Sequence, residues 1–336
     1  MADNTGIEWT DATWNPTVGC SILSPGCSNC YAMKMAARIE KMNPGTHYAG
    51  TTKDRKGGAV WTGKLALAPE SILTQPLRWT RGRRIFVNSM SDLFHEDIPD
   101  AWIDRVFATM ALCPQHTFQI LTKRSARMRR YMTNWPDGAA RFHHVAFAAH
   151  KINPDLPRGM PDGWVWQLQK RWPLPNVWLG VSAEDQIRAE ERIPDLIETP
   201  AAIRFVSAEP LLGPIDFAMM PFPDGDRRHR WSALTGQAIL HATGVDGHPD
   251  FTVRVDKPTK GKLDWIIVGA ESGRSARLMQ DEWALSIAEQ CKASGTAFFA
   301  KQLSADIGKV VKDIDLFPPL LQVRQYPADM QDRGDE

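Results

Sequence analysis

The stretch Trp14-Asn15-Pro16-Thr17-Val18-Gly19-Cys20-Ser21-Ile22-Leu23-Ser24-Pro25-Gly26-Cys27-Ser28-Asn29-Cys30-Tyr31-Ala32 places three cysteines within a loop punctuated by glycine and proline, spaced Cys-x6-Cys-x2-Cys. A helical pattern over residues 31–41 follows directly, so the loop reads as a first strand-to-helix connection. Three thiolates from one loop can hold three irons of a [4Fe-4S] cube and leave the fourth without a protein ligand, whereas an electron-transfer cube takes four cysteines. Gly19 and Gly26 let the backbone wrap closely around such a group, and amides at the helix start can donate to its sulfurs. The same residues also admit a structural zinc site completed by His47 or a distant histidine. No second Cys-x2-Cys knuckle supports zinc: Cys113 and Cys291 stand alone in helical patterns and read as small buried apolar residues.

Outward from this loop, short β-rich runs with polar endings recur at residues 84–89, 117–123, 177–182, 203–209, 264–269 and 297–301. Each is apolar and bounded by breakers, as a strand buried on both faces should be. Helical stretches lie between them: residues 99–112 with Asp100 as a cap, 184–198, and 281–294 closed by Gly295. The alternation predicts an α/β protein, a partial (β/α)6-type TIM-like barrel, with a doubly wound sheet as the other possibility. The expected organisation is a barrel over residues 1–310, with insertions over its mouth at 131–176 and 217–262, and an extension at 311–336 that is polar and frayed from Tyr326 onward.

The 336 residues carry 40 Lys plus Arg against 39 Asp plus Glu, and a net charge of +1 is too balanced to imply nucleic-acid binding from bulk charge. The apolar runs fall short of the ~20 residues that cross a bilayer. Acids and tryptophans stand where a secretory signal would begin, so a cytoplasmic location, with cysteines kept reduced, is expected.

The Cys27–Tyr31 half of the loop, running into a helix, resembles the radical S-adenosylmethionine (SAM) superfamily, in particular its spore-photoproduct-lyase-like branch. The first gap is six residues where three is usual, so the loop is enlarged. With the segments Ser89-Met90-Ser91-Asp92 and Phe299-Ala300-Lys301-Gln302, residues 7–305 look most like a phage-associated family carrying this wider motif. The resemblance implies that Cys20, Cys27 and Cys30 bind a [4Fe-4S] cluster whose free iron chelates S-adenosyl-L-methionine. Reductive cleavage then yields a 5′-deoxyadenosyl radical that takes hydrogen from a substrate.

On the same footing, Ser89 and Ser91 would bond the methionine portion of SAM, Lys123 its carboxylate, and Ser182 and Glu184 the ribose hydroxyls. The segment Gly269-Ala270-Glu271-Ser272-Gly273 would let backbone approach adenine. Asp92, Glu209 and Glu271 are candidates for substrate protons, with a turn role for Asp92 and an ion pair for Glu209 as the plainer alternatives. Tyr31 is a stacking platform, a hydrogen-atom relay or a packing residue. His95, His143 and His144 show no ligand spacing.

Clusters at Arg78, Arg81, Arg83 and Arg84, at Lys123, Arg124, Arg127, Arg129 and Arg130, and at Arg227, Arg228 and Arg230 could guide a polyanion. Trp79, Trp135, Trp164, Trp166 and Trp172 offer surfaces on which an exposed base could stack. The expected substrate is a modified nucleobase in DNA, such as an amino-acid-modified thymidine that is isomerised in hypermodified phage DNA, with a reductant protein as electron donor. The alternatives are a lesion-repair lyase, which the missing fourth cysteine disfavours, or a non-catalytic zinc or cluster protein that binds nucleic acid.

Overall fold

A computed structural model describes residues 5–134, 140–159, 163–222, 229–242, 251–258 and 261–327. Among the described residues it is a mixed α/β fold with eight α-helices and an eight-stranded, mostly parallel sheet. The strands are β1 (Ala12–Trp14), β2 (Arg84–Val87), β3 (Thr117–Thr122), β4 (Val177–Ser182), β5 (Ile203–Ala208), β6 (Trp265–Gly269), β7 (Ala297–Asp306) and β8 (Lys309–Val311). Their order in the sheet follows the chain, from β1 at one edge to β8 at the other. A doubly wound sheet reverses its strand order at a switch point. Chain-order succession excludes that alternative; among the described residues the sheet is open and does not close into a barrel.

By internal packing the chain divides into two compact units, residues 1–180 with 199–202, and residues 181–198 with 203–336. In the first unit β1, β2 and β3 run parallel, with Ala12 opposite Ile85 and Arg84 opposite Thr117. Trp14 is fully buried, packs on Phe118 and donates its indole N–H to the Ile72 carbonyl. The labelled helices here are α1 (Tyr31–Met42), α2 (Asp100–Ala111), α3 (Ser125–Thr133), α4 (Arg141–Ile152) and α5 (Trp164–Lys170). The last two lie within the segment expected to be an insertion. Asp100 is not the cap of α2: Pro99 holds that position, and the Asp100 carboxylate instead pairs with Arg127 and Arg141. Cys113 is buried just beyond this helix.

In the second unit β5, β6 and β7 are parallel, and β8 turns back antiparallel on β7. Helix α6 (Gln186–Glu198) precedes β5. Helix α7 (Asp281–Ser294) ends at Gly295, whose φ of 71° is the left-handed conformation expected of a glycine stop, and it buries Cys291. Residues 217–262 carry a four-stranded antiparallel sheet built from Met220–Pro221, His229–Trp231, Gln237–Ala242 and Phe251–Pro258. After β8 the chain returns to the parallel strands. Ala300 N–H donates to the Val323 carbonyl, Gln325 N–H donates to Phe298, and Trp265 gives its indole N–H to Gln325. Tyr326, expected to be frayed, packs against Trp265 and Phe299.

Candidate functional site

The cysteine loop leaves β1 and is fixed at its base before Cys20 is reached. Thr17–Val18 pairs with Ala66–Leu67. Gly19 adopts φ 89°, and a Cβ there would lie 2.0 Å from the Lys64 carbonyl oxygen, so only glycine fits. The end of β2 grips the same segment. Asn88 holds a left-handed φ of 62°, its amide N–H donates to Trp14, and its side chain donates to the Thr17 hydroxyl at 2.8 Å. A left-handed asparagine is tolerated where side-chain bonds over-determine it. Ser91 Oγ lies 2.8 Å from the Thr17 hydroxyl and 3.1 Å from its carbonyl, while Ser89 donates to Asn15 Oδ1.

Cys27 ends a single 3-10 turn, Pro25–Cys27, and Cys30 is the residue from which α1 begins. The Cys30 sulfur accepts hydrogen bonds from the backbone amides of Ala32 and Met33, and Cys27 lies within electrostatic range of both Cys20 and Cys30. Cys20 and Cys30 pack on an apolar cluster that includes Val18, Met33, Ala36, Tyr48 and Met90. Burial pushes the Cys20 thiol up to about 12, the Asp92 carboxylate adds to the shift and Arg124 opposes it. Burial also pushes Cys30 up, with the Ala32 and Met33 amides pulling the other way. Burial of this kind favours the protonated thiol, and a nearby cationic centre would favour the thiolate. Among the described residues no group of three or more His, Cys, Asp or Glu is gathered so as to hold a metal ion. His47 stacks on Tyr48.

Arg124 anchors the loop from the end of β3. It is 5% exposed; its Nη1 donates to Asp92 at 3.0 Å and lies 3.8 Å from the Cys20 sulfur, its Nη2 donates to Ser21 Oγ at 2.8 Å, and its Nε donates to Glu96 at 2.7 Å. Asp92 also accepts from the Phe94 and Lys123 amides and from the Thr122 hydroxyl. A carboxylate with four donors has its lone pairs occupied, so Asp92 organises the strand end. His95, given no role from the sequence, joins this network. Its Nδ1 accepts from the Asp97 amide, which leaves Nε2 to donate to Ser21 Oγ at 2.7 Å. Burial and Arg124 lower its pKa and keep the ring neutral. The Lys123 ammonium acts electrostatically on Cys30, and Tyr31 donates its hydroxyl to the Ser89 carbonyl at 3.0 Å.

The other candidates lie in the second unit, where each glutamate has a cation. Glu184 is fully buried and accepts from Arg192 at 2.9 Å, and the same guanidinium nitrogen donates to the Ser182 carbonyl at 2.8 Å. Glu209 pairs with Lys301, the ion-pair alternative. Gly269 lies against it: a Cβ there would meet Glu209 Cδ at 3.1 Å. Glu271 accepts from the Arg277 amide at 2.9 Å and from its Nε at 3.0 Å. Arg277 also feels Glu184, so both carboxylates act on one cation.

Several basic candidates are engaged internally. Arg84 pairs with Asp11, Arg127 with Asp100, and Arg83 lies over the Trp79 ring. Trp164 is buried, and Trp172 packs on Phe107. Trp135, Arg227 and Arg228 lie outside the described residues.

Residues 4–315 match the family model described as "Protein of unknown function (DUF5131)". The chain belongs to that family. The matched span contains the three cysteines, Arg124 and all the glutamates above. No curated protein and no solved structure matches the chain.

Proposed function

We propose that this DUF5131 chain is a radical SAM enzyme built on a partial, open (β/α) barrel, with Cys20, Cys27 and Cys30 holding a [4Fe-4S] cluster. The observation that carries the reading is the cysteine loop, in which three sulfurs leave one strand end and donors already face two of them: the Ala32 and Met33 amides at Cys30, and Arg124 at Cys20. This donor set suits a cluster, whose sulfur ligands are stabilised by amide and guanidinium hydrogen bonds. The Asp92 carboxylate, which acts on Cys20, is committed to four donors and does not compete as a ligand. When bound, the cluster and S-adenosyl-L-methionine supply a 5′-deoxyadenosyl radical for hydrogen abstraction.

The chain's own residues hold and orient. Lys123, already in electrostatic range of Cys30, takes the SAM carboxylate, and Ser89 and Ser91 line the strand end beside the loop. Tyr31, the first residue of α1, serves the substrate side. The substrate is a modified nucleobase, with isomerisation of an amino-acid-modified thymidine as the specific reaction.

Anaerobic reconstitution with iron and sulfide, followed by SAM and a strong reductant, tests this directly. The expected results are about four irons per chain, formation of 5′-deoxyadenosine, and loss of the iron–sulfur absorbance in Cys27→Ala and Cys30→Ala. A protein that carries one zinc, or one that is fully loaded with iron and leaves SAM intact, sinks the proposal.

A further inference from the structure

Two sulfurs of the cysteine loop meet donors of different kinds. Cys30 accepts from the Ala32 and Met33 amides, which are neutral. At Cys20 the donor is a guanidinium: Arg124 Nη1 lies 3.8 Å from the sulfur, and the same nitrogen donates to Asp92 at 3.0 Å. Asp92 also acts electrostatically on Cys20, so a full cation and a full anion bear on one sulfur. Arg124 is 5% exposed and Asp92 6%, and charge this deep is screened little by salt.

The guanidinium is held at each of its nitrogens: Nε by Glu96, Nη1 by Asp92 and Nη2 by the Ser21 hydroxyl at 2.8 Å. The Glu96 side chain is 58% exposed, so water screens its charge and it serves mainly as a tether. Asp92 is fixed in turn by the Phe94 and Lys123 amides and the Thr122 hydroxyl. Ser21, the first residue of the gap between Cys20 and Cys27, carries a second grip from His95 Nε2 at 2.7 Å. The residue next to Cys20 is thus clamped from two sides, and Arg124 cannot swing away from the sulfur without giving up its bonds to Ser21 and Asp92. Adding one electron to a sulfur-ligated iron group adds one negative charge. Across a dry site Arg124 favours that product and Asp92 opposes it, while the amides at Cys30 contribute dipoles with no net charge.

We propose that Arg124 and Asp92 are opposed positioning residues that set the reduction potential of the group bound at Cys20, and that Ser21 and His95 fix the setting by holding Arg124 on the sulfur. The inference rests on the radical SAM reading for the identity of that group. In the step concerned one electron passes from a reductant, which is oxidised, to the bound iron–sulfur group, and no bond of the chain forms or breaks.

The test is a mediated potentiometric titration of the full chain after anaerobic reconstitution, with dithionite as reductant and electron paramagnetic resonance as the readout on the loaded fraction. Arg124→Met is expected to lower the midpoint and Asp92→Asn to raise it, each by about ten-fold in the reduction equilibrium, or ~59 mV for one electron. Arg124→Lys, which keeps the charge, is expected to recover most of the drop. Ser21→Ala leaves both charges in place and is expected to lower the midpoint by a smaller amount; it keeps the test open if Arg124→Met fails to fold. Arg127→Met, whose partner is Asp100, is the control and is expected to match the wild type. A clamp with a purely structural role changes how much iron is bound but does not separate the midpoints. Values for the Arg124 and Ser21 variants that do not fall below the wild type, or a value for Asp92→Asn that does not rise above it, overturn the proposal. A wild-type chain without iron–sulfur absorbance defeats the radical SAM reading and this inference with it, whereas a loaded chain with coincident midpoints defeats this inference alone.

Discussion

The two units place buried charge in opposite ways. In the second, Glu184, Glu209 and Glu271 each pair with a cation, and two of the pairs are local: Arg192 lies eight residues beyond Glu184 and Arg277 six beyond Glu271. In the first, bonds run between segments far apart in sequence. Asn88 and Ser91 reach Thr17, and Arg124 reaches Cys20 and Ser21 across more than a hundred residues. Local pairs stiffen a strand end. Long-range bonds that converge on one loop fix its stem from Thr17 to Ser21.

That contrast can be broken most sharply at the most buried pair. Arg192→Leu leaves Glu184 charged and without its partner in a dry site, and should cost about 3–5 kcal/mol in denaturant unfolding. Its iron uptake per folded chain should stay at the wild-type level; a loss of iron there would erase the distinction. Arg124→Met should cost about 3 kcal/mol by removing the cation paired with buried Asp92, and should also lower iron per folded chain, since the donor at Cys20 goes with it. Gly19→Ala should cost about 2 kcal/mol and reduce iron loading more than Gly26→Ala, as measured by iron content against unfolding midpoint. The smallest effect is titrational. Burial raises the Asp100 carboxyl, but Arg127 and Arg141 outweigh it and hold the group below its usual range. A depressed carboxylate stabilises the fold above its unfolded pKa and loses that contribution as pH falls through about 4 and below. Asp100→Asn should therefore flatten stability against pH in that window, as followed by thermal melting.

The parallel strands were legible because strands buried on both faces read as apolar runs with breakers at each end. Residues 177–182 coincide with β4, and residues 84–89, 117–123 and 203–209 contain β2, β3 and β5. The three cysteines and the helix after them were equally plain. The antiparallel sheet within 217–262 was missed although Phe251, Val253 and Val255 alternate with polar residues, because the glycines and charges around them masked the period of two. Arg124, His95 and Arg192 were not legible as site residues. Their roles depend on which strand ends stand beside which loop, and no spacing in the chain encodes that.

One consequence concerns where the chain can be cut. The family match stops at residue 315, and a boundary near 310 looks natural from composition. Yet residues 321–326 supply β7 with an added edge and roof over Trp265 and Phe299. A shortened protein ending at 315 would uncover two large aromatic rings and one row of backbone polar groups, inviting self-association; an expression clone should run through Tyr326.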